Sequence, residues 1–433
     1  IGRYATARSR LELNAFLSSE LIASNNNKLW ELIRSQTPAT LHAASGEYFT
    51  QQPILSGWFQ LAAIAIEFGL EPQLLISNLQ AWKNNNPEHP AFNSLPEELI
   101  KAMATTPYAP NQIAILTPLT GKRGATGRAI REGVISAYYQ EKESDRLNLR
   151  FYDTAKSNVA SLYQQALEEG ADFVVGPLLK SNLEQVLPLV SNIPLLSLNK
   201  LDENPVHENI YYFSLTSNDE AIAAAKRMQQ DGIQHPLVLA PKNNIGTRLA
   251  TVFSQQWQTM TEEESEVYQY TSSADMQKTV ASLFAVNDSE QRIKLMKALI
   301  GNDIKAKSRS RRDIDAIYLI AKPAEAMLAI PYISTTQNPY TKQVALYASS
   351  RSHQGALPEE QSKDLNGLIF SDMPWLLNPD RKLKQQTLGL WPTMSKIEQN
   401  LFAMGYDTFK LIPNLLQLRN FPSLRLQGQT GIL

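Results

Sequence analysis

From residue 111 onward, short apolar runs alternate with amphipathic helical patterns, and this alternation constrains the fold more than any other feature. The runs are IAILTP, LNLRFYD, ADFVVGP, IPLLSL, NIYYFSL, HPLVLAP, SEVYQYT, DAIYLIA, QVALYAS and LNGLIFS. Between most of them lie helical patterns. GRAIREGVISAYYQ spaces Ile130, Val134 and Tyr138 at i, i+4 and i+8, and NVASLYQQALEEG carries Val159, Leu162, Tyr163, Ala166 and Leu167. Short β-branched runs alternating with helices of this size form βαβ units, with parallel sheets covered on both faces. Ten such strands overfill one compact doubly wound sheet. The pattern therefore predicts an α/β module of two lobes.

Residues 1–106 follow a different period and read as all-helical. SRLELNAFLSSELIAS places Leu11, Leu13, Phe16, Leu17 and Leu21 near one helical face. NNNKLWELIRSQTP reads as a separate helix, opened by its Asn run and stopped at Pro38. ILSGWFQLAAIAIEFG and PQLLISNLQAWKNNNP form a further pair, with Trp58 and Trp82 as core candidates, and LPEELIKAMA is a last short helix with Pro96 near its first turn. Helices joined by short polar loops predict stacked αα-hairpins, a TPR-like repeat segment, although the tetratricopeptide consensus is not met residue for residue. A plain helical cap on the next domain is the alternative. TTPYAPNQ, residues 105–112, is the linker into the α/β module at 107–433.

Composition removes several function classes. The 41 basic and 42 acidic residues leave no basic surplus for nucleic acid or an anionic membrane surface. No apolar run is long enough to span a bilayer, and no signal-peptide pattern opens the chain. The chain starts inside a helical pattern, so it reads as a piece whose targeting segment has been removed. Cysteine is absent, which excludes disulfides, thiolate catalysis and cysteine metal sites. The five histidines are scattered, with no pair at metal-ligand spacing.

The most suggestive local motif is NQIAILTPLTGKRGATGRAIREGVISAYY, in which Gly121, Gly124 and Gly127 stand between a strand and a helix. A phosphate-binding P-loop needs Ser or Thr after Gly-Lys, but Gly121-Lys122 continues to Arg123. The dinucleotide fingerprint fails too, because the spacing is G-x-x-G-x-x-G. What remains is a flexible turn that exposes backbone N–H groups at a helix start. Ser197-Leu198-Asn199-Lys200 matches S-x-x-K, but Ser197 ends an apolar strand and no S-D-N or K-T-G accompanies it. The acidic runs at Glu168-Glu169 and Glu262–Glu264 read as solvated surface, and the basic run KAKSRSRRD, residues 305–313, as a solvated loop before DAIYLI, with a phosphate or partner contact as the alternative. The residues supply no catalytic constellation, no metal site and no cofactor site.

With these residues in view, IAILTPLTGKRGATGRAIREGVISAYY resembles the opening strand, loop and helix of type I periplasmic solute-binding domains. ADFVVGPLLKSNLEQVLPLVSNIPLLSLN and NIYYFSLTSNDEAIAAAKRM continue that pattern in order over roughly residues 111–433. Together with LSGWFQLA and AWKNNNPEHPA, the whole chain resembles the LpoA-type outer-membrane lipoproteins that activate class A penicillin-binding proteins. The resemblance implies a bilobed module, lobe one at about 111–216 and 341–423, lobe two at about 217–340 and 424–433. LRLQGQTGIL would start a final return strand. In amino-acid-binding relatives, the loops after strands three and four hold the ligand. The matching positions, with the first loop, give a candidate cleft of Thr117, Thr120, Gly121, Gly176, Pro177, Ser181, Ser197 and Asn199. Leu178 and Leu179 enlarge one of these loops and depart from the relatives. The implied function is non-enzymatic: binding and activating a class A penicillin-binding protein from the periplasmic side of the outer membrane. Peptidoglycan is a further partner, and membrane contact is only through a lipid anchor absent from this chain. The 305–313 run and the Trp375 region are candidate contact points. The alternative is a periplasmic solute-binding protein for amino acids or small peptides.

Overall fold

The structure, a computed structural model, describes residues 19–143, 146–300, 305–338, 341–353, 365–378 and 381–433. The expected apolar face at Leu11, Leu13, Phe16 and Leu17 lies outside the described residues. The chain forms two compact units, Ile1–Ser214 with Leu401–Leu433, and Leu215–Asn400. Among the described residues no helix is long and apolar enough to cross a membrane.

The first unit opens with helices Ser19–Ile33, Pro38–Tyr48, Pro53–Phe68, Pro72–Asn85 and Glu97–Ala104. Three of them begin with proline, whose fixed φ suits the first helical turn and whose missing N–H would have no partner there. Their apolar faces close over Trp30, Leu41, Trp58, Phe59 and Trp82, and Phe421 and Leu424 from the end of the chain complete that core. The Asn run does not open a helix as expected. It lies inside Ser19–Ile33, where Asn25 and Asn26 are buried and Asn27 Oδ1 accepts the Glu97 amide at 3.3 Å. Tertiary contacts here override the local preference of Asn for caps.

Each of the ten apolar runs contains a strand. The first unit holds β1 (Gln112–Thr117), β2 (Asn148–Asp153), β3 (Phe173–Val175), β4 (Leu195–Ser197) and β5 (Ile210–Tyr212), all parallel, in the order β2-β1-β3-β4-β5. The second holds β6 (Pro236–Pro241), β7 (Glu266–Tyr270), β8 (Ala316–Leu319), β9 (Ala345–Ala348) and β10 (Leu368–Phe370), also parallel, in the order β7-β6-β8-β9-β10. The two sheets thus repeat one topology, as in type I periplasmic-binding-protein folds. β1 and β8 are buried along their full length, which their helix-covered faces require.

The pairing corrects the expected lobe boundaries. Residues 341–423 do not join lobe one as a block: β9 pairs β8 and β10 pairs β9 in the second sheet, and the chain returns to the first unit only at Leu401. The tail 424–433 belongs to the first unit, not to lobe two. LRLQGQTGIL starts no return strand. It folds into a small antiparallel turn, bridged at Gln427 and Ile432 and closed by two backbone bonds of 2.9 Å between Leu426 and Leu433. The buried Asp407 carboxylate holds this turn, accepting from the Gln429 and Thr430 amides at 2.7 Å and the Thr430 hydroxyl at 2.6 Å.

Candidate functional site

Parallel strands put the candidate residues on one edge of the first sheet. Thr117 ends β1, Gly176 and Pro177 follow β3, and Ser197 ends β4. The order β2-β1-β3 reverses the direction of winding at β1, so the loops after β1 and β3 flank a topological switch point, where open α/β sheets bind ligands.

The polar groups on this edge are mostly used by the protein itself. Asp153, at the end of β2, accepts from the Leu119 amide at 2.8 Å, the Ala155 amide at 3.1 Å and the Thr120 hydroxyl at 2.6 Å. Desolvation pushes its carboxyl up, but these hydrogen bonds outweigh that and hold it below the usual Asp range. The Leu119 and Thr120 donors that precede the glycines therefore face an internal carboxylate, the chemical group an incoming ligand would have brought. Asn199 is committed as well. Its Nδ2 donates to Leu178 O at 2.7 Å, tying the β4 loop to the β3 loop, and its Oδ1 accepts the Lys200 amide at 2.9 Å. Ser197 is buried, and its hydroxyl donates to Asn199 O at 2.7 Å. Ser181 is exposed in the first turn of helix Lys180–Val186. Thr117 alone of the set has a fully buried hydroxyl that meets no partner among the described residues.

The glycines have packing roles. A Cβ on Gly127 would lie 2.0 Å from Pro118 O, so glycine lets helix Gly124–Tyr138 approach the end of β1. The second sheet repeats the arrangement, with Gly246 facing Pro241 O at 2.1 Å. Gly176 adopts φ +96°, and a Cβ there would meet Leu116 O at 2.3 Å. Gly121 also has positive φ, +67°, in open space that closes only on Ala155.

Two further features have no signal in the sequence. A cavity of about 250 Å³ lies at the opposite, amino end of β1, lined by Tyr108, Ile113, Leu147, Phe409 and Ile412, with the Glu141–Lys410 ion pair at its edge. In the second unit, Asp372 is almost fully buried and receives His353 Nδ1 at 2.8 Å and Lys396 Nζ at 2.7 Å. Lys396 Nζ also donates to the carbonyls of Ser350 and His353, so all three of its protons are used. Glu220 caps the same loop by accepting from the Ser350 amide and hydroxyl, and burial pushes its carboxyl up. The cluster braces the loops after β9 and β10 to helix Ser217–Gln230. Its members stand up to 176 residues apart (Glu220 to Lys396), so no local pattern announces it. Trp375, a candidate contact point by sequence, is completely buried and belongs to the core. Among the described residues no group of three or more His, Asp or Glu side chains could hold a metal ion.

The model of the family described as "LppC putative lipoprotein" matches residues 3–433. The chain belongs to the LppC lipoprotein family. A relative, the penicillin-binding protein activator LpoA of Aliivibrio fischeri, is 35% identical over 430 residues, covering 99% of this chain and 71% of that protein. Among solved structures, LpoA of Haemophilus influenzae matches 100% of this chain and 73% of its own with a TM-score of 0.73 at 27% identity. The LpoA C-domain from the same organism, described as a regulator of PBP1A, matches 74% of this chain and 92% of its own with a TM-score of 0.60 at 28% identity. The LppC resemblance therefore extends over both the helical segment and the two sheets.

Proposed function

We propose that this chain is a non-enzymatic regulator that binds a class A penicillin-binding protein and raises its activity from the periplasmic side of the outer membrane. The observation that carries this reading is the match to LpoA activators along 99% of the chain. The first sheet's edge supports it. Asp153, Ser197 and Asn199 satisfy the loop donors and acceptors internally, so the edge has few groups left to grip the amine and carboxylate of an amino acid. The lipoprotein family supports an anchored position, with the helical part at 1–106 acting as a repeat-like spacer that carries the α/β module toward its partner and the peptidoglycan.

Isothermal calorimetry tests the reading directly. We expect binding to a purified class A penicillin-binding protein with a dissociation constant in the micromolar range, about -8 kcal/mol, and no comparable heat from free amino acids. Tight amino-acid binding together with no binding of the synthase would replace this reading by a solute-binding one.

A further inference from the structure

The cavity at the amino end of β1 draws its lining from the linker, from β1 and from the segment at Phe409–Pro413. Ile113, Phe409 and Ile412 give it a buried apolar lining, which Tyr108, Leu147 and Pro413 complete. Its two aromatic rings are held from outside. Tyr108 packs edge-on against Phe173 and Tyr211, with ring centroids 5.6 and 6.1 Å away, and its hydroxyl shares a 3.1 Å hydrogen bond with that of Tyr211. Phe409 packs edge-on against Tyr138 at 6.1 Å. Both rings are therefore fixed by neighbours that do not line the cavity, and the cavity is preformed.

Size and polarity restrict what fits. An apolar cavity of about 150 Å³ is enough to hold benzene, and pockets for drug-sized molecules begin at about 300 Å³. At about 250 Å³ this cavity takes a group of one or two rings. Glu141 and Lys410 are the charged side chains among the described residues of its lining, and they are paired with each other. A charged group entering here would give up its water and find each opposite charge already engaged. Pro110 and Pro413, also in the lining, have no backbone N–H to offer an anion. A flat uncharged ring escapes that penalty and meets the rings of Tyr108 and Phe409.

We propose that this cavity is a binding site for an uncharged aromatic group of one or two rings, which enters past Ala109 and Pro413, the exposed residues of its lining. A free aromatic molecule and an aromatic side chain of a bound protein offer the same chemistry. The site is separate from the carboxyl edge of the first sheet, because Ile113 and Thr117 stand at opposite ends of β1.

Titration of the full chain with indole, followed by ligand-observed NMR and calorimetry, tests the site. Indole is expected to bind with a dissociation constant of about 1 mM or tighter. Indole-3-acetate and tryptamine, which add an anion and a cation to the same ring, are expected to bind about tenfold more weakly or worse. Ala109→Trp sets a large side chain at the edge of the cavity and is expected to abolish indole binding. Ala109 is exposed, so the variant keeps the wild-type melting temperature; should it melt early, Pro413→Trp, also at an exposed position, takes its place. The absence of saturable indole binding overturns the proposal. So does indole binding that a folded Trp variant leaves unchanged, or a charged derivative that binds as well as indole. Once indole binds, its effect on the purified synthase separates the two sources. A loss of synthase affinity of about tenfold at saturating indole assigns the ring to a partner's side chain, and unchanged affinity assigns it to a free aromatic ligand. Indole binding is read without the synthase, so failure of the regulatory reading leaves this site standing.

Discussion

His89 sits between the indoles of Trp58 and Trp82, with ring centroids 5.1 and 4.9 Å away, both edge-on. Its Nδ1 accepts the Ala91 amide at 3.1 Å, so the ring proton resides on Nε2 and is donated to Ile54 O at 2.9 Å. Burial pushes its pKa down from 6.5 to about 4, against the raising effect of the Ile54 bond. Because the folded pKa is lowered, the unfolded chain takes up the proton first as pH falls. Stability is therefore intact above 6.5 and declines between 6.5 and about 4, by about 3 kcal/mol in all. Urea unfolding of the wild type and His89→Gln at a series of pH values checks this. The variant is expected to be weaker at neutral pH and to lack this component of acid sensitivity; parallel pH profiles for the two proteins would contradict the assignment. Trp58 and Trp82 were legible as core residues from their helical spacing. The role of His89 was not, because Ile54 and both indole rings come from other helices. Asp153 was hidden for a related reason: its role depends on β2 lying beside β1.

At the scale of elements, strands and helices were legible because burial on both sheet faces leaves continuous apolar runs, and helix cover leaves a 3.6-residue period. Lobe membership of β9 and β10 was not legible, since strand order is decided by pairing between distant segments. The helix start expected at the Asn run fails because buried partners outweigh cap preference. Helix crossings were equally hidden. Gly133 and Gly405 meet where helices Gly124–Tyr138 and Lys396–Leu411 cross, and a Cβ on Gly405 would lie 2.1 Å from Ile130 O. Backbone cannot yield there as a flexible side chain would. Gly405→Ala is expected to lower stability by about 1–3 kcal/mol. A Cβ added at Gly46 in helix Pro38–Tyr48 would meet nothing within 4 Å, so Gly46→Ala should gain about 0.5–1 kcal/mol. Thermal melting compares the two; equal effects of the same sign would remove the close crossing as their cause.

At the scale of the whole molecule, the chain carries a helical segment and two sheets of one topology. The polar groups on the first sheet's carboxyl edge are mostly tied to one another. That distribution suits a protein acting through contact with another protein. The most direct measurement adds the full chain to a purified class A penicillin-binding protein and follows glycan polymerisation and peptide cross-linking with lipid-linked substrate. The account predicts a saturable rise in the rate of at least one of the two reactions, with no turnover of substrate by this chain alone. Unchanged rates at saturating concentration, or turnover by the chain without the synthase, would contradict it.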